Sequence, residues 1–159
     1  MPTLVVIRHA KSDWDVPADD RHRPLAARGR RQAPESGRWI AEEVEPIELA
    51  LVSVAQRARE TWELVSAQLP YAARQVFDEA AYTFSGDDLV EVVRALPREL
   101  SVAAVVSHNP AVEELVRSLT GEWVPMPTAA VAVIDLPSWR DRGGLRWAGR
   151  PADQPPSTQ

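Results

Sequence analysis

Four short apolar runs, separated by segments with helical spacing, constrain this chain more than any other feature. Residues 4–7, 49–53, 102–106 and 129–136 are brief and rich in Val, Ile, Leu and Ala, as suits strands covered on both faces. Between them, Ala58, Thr61, Trp62, Val65 and Leu69 share one helix face. Leu89, Val92, Val93 and Leu96 share another, and Val112, Leu115, Val116 and Leu119 a third. Strand–helix alternation predicts an α/β fold, a three-layer sandwich whose mainly parallel sheet is flanked by helices. No period of about 20–50 residues repeats, which excludes a solenoid. The 159 residues suit one domain, expected over residues 1–150, with 151–159 as a disordered tail.

Local signals punctuate the pattern. Asn109-Pro110 reads as a cap and first-turn residue, and Gly121 as the far end of that helix. Ser85 with Asp88 resembles a capping box. Residues 25–44 have helical character, but Pro34 and Gly37 within them predict a kink or break. Residues 141–144 read as a turn leading to an edge strand at 145–148.

Composition removes whole classes of function. The chain has no cysteine, so disulfides, thiolate zinc sites and cysteine nucleophiles are excluded. A net charge of −5 argues against nucleic acid as a partner. The longest apolar runs fall far short of the roughly 20 residues that cross a membrane. Met1-Pro2-Thr3 leads straight into a short apolar run and then charges, unlike a signal peptide. The expectation is a soluble, cytoplasmic protein.

Three polar groups follow three of the expected strands. Arg8-His9 follows residues 4–7, Arg57 comes shortly after Ser53, and Ser107-His108 follows residues 102–106. Open α/β sheets hold ligands outside the carboxyl ends of their strands, so two histidines and two arginines share one rim. Arginine offers a planar fork matched to phosphate or carboxylate. Histidine exchanges protons near neutral pH or acts as a nucleophile. Such a tetrad suits a tetrahedral dianion. A metal site built from His9, His22 and His108 with Asp13, Asp15, Asp19 and Asp20 is the rival reading. It is weakened because arginines neighbour two of the strand ends, and cations repel a metal.

These residues also carry a family resemblance. Leu4-Val5-Val6-Ile7-Arg8-His9-Ala10 resembles the strand and Arg-His-Gly signature of the histidine phosphatase superfamily. Ser53-Val54-Ala55-Gln56-Arg57-Ala58-Arg59-Glu60-Thr61 is similar to its second motif, Ser-Pro-x-x-Arg-Ala-x-x-Thr, and Ser107-His108-Asn109-Pro110 to its late strand-end histidine. The match covers residues 3–136. The Arg-His-Ala-Lys-Ser start, the short chain and Arg23-Pro24-Leu25 look most like the SixA-type phosphohistidine phosphatase branch. The resemblance implies a phosphoglycerate-mutase-like fold, His9 as nucleophile, and Arg8, Arg57 and His108 as holders of the phosphoryl oxygens. It implies a phosphohistidine intermediate, with neither cofactor nor metal.

The chain departs from the family pattern at Ala10 for glycine, Val54 for proline, and Asp15 for the Asn of many relatives after Trp14. Glu79 lies where larger relatives place a carboxylic general acid, and reads equally as a solvated loop acid. Arg23 reads as a surface charge, with substrate orientation as the alternative. Arg28, Arg30 and Arg31 read as a solvated helix face, or else as a docking patch for an acidic phosphoprotein. Core packing accounts for most of the six tryptophans, while Trp14 follows the signature loop and is placed to wall the pocket. The expected function is dephosphorylation of a phosphohistidine-bearing signalling or phosphorelay protein. A small phosphorylated substrate is the alternative, and a non-catalytic phosphate-binding module the third.

Overall fold

A computed structural model describes residues 1–154. Six strands form one sheet in the order β3-β2-β4-β1-β5-β6. They are β1 (Thr3–Arg8), β2 (Leu49–Ser53), β3 (Arg74–Asp78), β4 (Val102–Ser107), β5 (Val131–Asp135) and β6 (Gly144–Gly149). Helices α1 (Ala27–Glu43), α2 (Gln56–Ser66), α3 (Gly86–Arg94) and α4 (Ala111–Thr120) flank it. The pairs β1–β4, β2–β4 and β2–β3 are parallel, whereas β1–β5 and β5–β6 are antiparallel. The sheet is therefore mixed, with its parallel part at the β3 side.

Period-two alternation divides the core into two layers. Leu4 and Val6 of β1 face one way, onto Leu89 and Val93 of α3 and Leu115 of α4. Val5 and Ile7 face the other, onto Ile40 of α1 and Trp62 and Val65 of α2. Each such side chain stabilises the fold by about 1.5–3 kcal/mol. The central strands read as continuous apolar runs because both of their faces are covered.

Several local expectations are corrected. α1 continues unbroken through Pro34 and Gly37. A proline costs a helix interior about 3 kcal/mol, but Ala33, Ser36, Gly37 and Ile40 bury the surrounding face. A Cβ on Gly37 would lie 2.4 Å from the Val65 carbonyl oxygen, so glycine permits the close approach of α1 to α2. Ser85 makes no side-chain cap; Thr83 Oγ1 bonds Asp88 instead, and Glu114 accepts from the Gly86 N–H. Asn109 does not cap α4, since its amide donates to the Met126 carbonyl. Gly121 does end that helix, in the left-handed region at φ 78°. Residues 151–153, expected as tail, form a 3-10 turn with Pro151 buried and Arg150 paired to Asp153. The rest of that tail, 155–159, lies outside the described residues. β3 has no counterpart in the sequence reading: it is an exposed edge strand whose only apolar pair is Val76-Phe77.

Register brings the chemistry together. Arg8 is level with Ser107 across β1 and β4, and Val52 with Val106 across β2 and β4. The segments after β1, β2 and β4 thus open on one end of the sheet.

Candidate active site

His9 is the first residue beyond β1, and its backbone is fixed on two sides. Its N–H donates to the Ser107 carbonyl, and its carbonyl accepts from Ala129 N–H, both at 3.1 Å. Ala129 adopts φ 62°, a region costly for a residue with a Cβ. Its own carbonyl is held by Ser36 Oγ at 2.8 Å. The His9 ring is 7% exposed, and Nδ1 lies 2.7 Å from the Ala10 carbonyl oxygen. A carbonyl can only accept, so Nδ1 carries the proton and Nε2 keeps its lone pair. Burial first, and then His108, hold His9 well below the usual imidazole range. Arg57 and Arg8 push the same way, against the Ala10 carbonyl. A neutral ring with a bare Nε2 is the form a nucleophile requires.

The second motif holds this segment in place. Arg57 and Thr61 lie one turn apart on α2, both buried. Thr61 Oγ1 donates to the Arg57 carbonyl at 2.7 Å and accepts the Ala10 N–H at 2.9 Å. The motif's threonine therefore ties the loop after His9 to the helix that carries Arg57. Its serine does similar work for His108. Ser53 Oγ accepts from Ala55 N–H and sits 2.7 Å from His108 Nε2. A hydroxyl both donates and accepts, so this contact holds the imidazole in place in either tautomer. Burial first, and then Arg57, push His108 down to about 3, with Asp20 opposing. The rings of His9 and His108 lie 5.1 Å apart.

The tetrad expected from sequence is assembled in one pocket of about 220 Å³. Arg8, His9, Arg57 and His108 line it, with Lys11, Asp20, Arg23, Trp14 and Phe84 among the others. Arg8 is anchored through Nη1 to the Met126 carbonyl, and Arg57 through Nη1 and Nη2 to Asp20. Arg8 Nε, Arg57 Nε and His108 Nδ1 are buried nitrogens without a hydrogen-bond partner among the described residues. Buried polar atoms are rarely left unpaired in folded proteins, and these three belong to residues that line one pocket. A pocket lined by two arginines and two histidines suits an oxyanion.

Other expectations are redistributed. Glu79 is not brought into the pocket. Its side chain is exposed, pairs with Arg21 at 2.8 Å, and lines a separate groove with Asp78 and Asp88. Arg23, read as a surface charge, is 7% exposed and lines the pocket, with Ser12 Oγ and Asp20 accepting from it. Trp14 does wall the pocket, stacked 3.7 Å from the Arg23 guanidinium. Only Trp62 and Trp139 are core residues; Trp39 and Trp147 stack half-buried, and Trp14 and Trp123 are exposed. Asp15 is exposed and outside the pocket lining. Arg28, Arg30 and Arg31 are solvated on α1. The rival metal set is not gathered: among the described residues no three His, Asp or Glu side chains cluster, and His22 pairs with Asp19 on the surface. Asp20, named from sequence only as part of the rival metal set, instead lines the pocket and holds Arg57. Its i,i+3 spacing to Arg23 was the available signal.

Residues 4–115 match the family model described as histidine phosphatase superfamily, branch 1. An uncharacterized protein of Mycobacterium leprae is 31% identical over 145 residues, covering 82% of this chain and 87% of that one. An uncharacterized protein of Mycobacterium tuberculosis is 29% identical over 147 residues, covering 85% and 90%. The solved structure of the protein histidine phosphatase SixA complexed with tungstate is 26% identical, with a TM-score of 0.84 over 95% of this chain and 98% of that one.

Proposed function

We propose a reaction from one premise: this chain belongs to the histidine phosphatase superfamily and is a phosphatase with a histidine nucleophile. His9 is that nucleophile, attacking phosphorus through Nε2. Arg8, Arg57 and His108 hold the phosphoryl oxygens, supplying charge and position, which phosphoryl transfer needs most. A phospho-His9 intermediate forms and is hydrolysed by water. The observation that carries this reading is the His9 ring itself, its proton engaged by the Ala10 carbonyl and its other nitrogen free. Cations crowd the pocket, so the reaction is metal-independent.

The substrate in this reading is a phosphohistidine on a signalling or phosphorelay protein in the cytoplasm. Two observations support it over a small phosphate ester. Alkoxides leave badly without an acid, and Glu79 stands outside the pocket. An imidazole leaving group is protonated near pH 6.5 without enzyme help. The SixA protein that the chain resembles is itself described as a protein histidine phosphatase. Among the described residues no helix is long and apolar enough to cross a membrane.

The test compares kcat/KM on a phosphohistidine-bearing protein and on an alkyl phosphate, both in excess chelator. The expected result is full activity in chelator and a clear preference for the phosphoprotein. Preference for the ester would replace the substrate assignment. Activity lost in chelator and restored by zinc or magnesium would overturn the metal-independent mechanism.

A further inference from the structure

Asp20 is the one carboxylate among the described residues lining the catalytic pocket, and three donors fix it there. Arg23 Nη1 donates to Oδ1 at 3.0 Å, while Arg57 Nη2, at 3.1 Å, and the Tyr82 hydroxyl donate to Oδ2. Its backbone carbonyl also accepts from Arg57 Nη1 at 2.6 Å. A carboxylate offers about four acceptor sites, so these contacts leave one, on Oδ1. The side chain is 44% exposed, which keeps that site within reach of a ligand. Desolvation pushes the carboxyl up, but the hydrogen bonds from Tyr82, Arg57 and Arg23 outweigh it and hold it down to about 2. Asp20 is therefore an anion under working conditions and cannot donate a proton. A fixed anion beside a phosphate dianion is repulsive. Beyond holding Arg57 and Arg23, it contributes to binding where the substrate also brings a positive N–H.

We propose that Asp20 is a leaving-group residue: Oδ1 accepts the distal ring N–H of a protonated phosphoimidazole, selecting phosphohistidine over phosphate esters. The inference rests on the substrate reading above. In the step, the His9 Nε2 lone pair forms the new N–P bond as the P–N bond to the substrate ring breaks. The electron pair of that bond returns to the departing nitrogen. The ring leaves as neutral imidazole, its one proton still on the distal nitrogen and donated to Asp20. No proton comes from an enzyme acid. Water then attacks phosphorus on His9, the bond pair returns to Nε2, and both water protons leave with the phosphate. An ester offers Asp20 no N–H and meets only its repulsion.

The experiment uses Asp20→Asn, which keeps the shape and removes the charge. At one pH, kcat/KM is measured for phosphoimidazole and for an aryl phosphate, with tungstate binding as the check on the oxyanion pocket. Activity on phosphoimidazole should fall at least about tenfold, the effect of losing one charge-assisted hydrogen bond. Aryl phosphate hydrolysis and tungstate binding should fall less than that, by only the share that Arg57 loses with its anchor, so the substrate ratio shifts against phosphoimidazole. Asp20→Ser gives the same readout if the amide disturbs the turn. Equal losses on both substrates would make Asp20 a mere anchor for Arg57, and equal gains a mere repulsive charge; either overturns the assignment. A wild type inactive on phosphoimidazole would overturn the substrate reading as well. A wild type active on it, with an unchanged substrate ratio in the variant, overturns the Asp20 assignment alone.

Discussion

Arg146 and Arg57 both bind carboxylates, yet they are bound in opposite ways. Arg146, on β6, uses all three of its nitrogens: Nε and Nη2 donate to Asp135, Nη1 to Glu45, and Nη2 also to Thr3. Those hydrogen bonds raise its pKa. Arg57 is more deeply buried, and burial lowers its pKa, with Asp20 opposing. Its Nε stays unpaired among the described residues, as does that of Arg8. One arginine is finished by the fold and clamps an edge strand to β5. The other keeps a donor in reserve, which costs stability and is tolerated where a ligand completes the bonding.

The sharpest way to break that contrast is to remove each arginine in turn. Arg57→Ala should lower kcat/KM by about 10²–10³, as does loss of a preorganised oxyanion donor, with tungstate binding weakened alongside. Arg146→Ala should leave kcat/KM within about threefold, because its partners are satisfied structure. Comparable activity losses in both variants would erase the distinction.

A pH series on stability probes the same end of the sheet. His9 and His108 are held neutral in the fold, with His108 down at about 3. Below about pH 6.5 the unfolded chain binds protons that the folded one refuses. Stability is thus complete above that pH and is lost as pH falls, by about 1.4 kcal/mol per unit for each histidine. Denaturant unfolding at stepped pH should show this slope, and His108→Asn should reduce it. A flat profile between pH 6.5 and 5 would show that the rings are not desolvated as the geometry requires.

Smaller effects refine the picture. Arg146→Ala should cost about 1 kcal/mol in unfolding free energy, since partly exposed pairs are screened. Ser36→Ala removes the bond to the strained Ala129 carbonyl and should cost about 1 kcal/mol as well. Glu79→Gln should change turnover of a phosphohistidine protein by less than about twofold, far below the general-acid range. A drop of about tenfold or more there would return Glu79 to the reaction.

What the sequence revealed follows from what local chemistry can encode. β1, β2 and β4 are covered on both faces, so their apolar runs mark them and also the polar residues that follow. β3 lies at the edge with only Val76 and Phe77 to mark it, and Glu79 follows β3, so its destination was equally hidden. Its fate is decided by Arg21, 58 positions away. Asp20 sits in a polar stretch without periodicity, and its partners Arg57 and Tyr82 are 37 and 62 positions distant. Arg23 has one partner close in sequence, Asp20, but its burial also depends on Ser12, 11 positions away, a contact that forms only in the fold. Strand-borne residues were legible because the strand carries them; residues on the turns became legible only when the fold supplied their partners.

The central claim is that the free Nε2 of His9 receives the phosphoryl group. Its most direct test is mass spectrometry of protein quenched in base and in acid during turnover, with the modified peptide sequenced. The account predicts one phosphate on His9, kept after the basic quench, lost after the acidic one, and missing in His9→Ala, which should also be inactive. Phosphate on another residue, or His9→Ala retaining more than a few per cent of wild-type kcat, would contradict it.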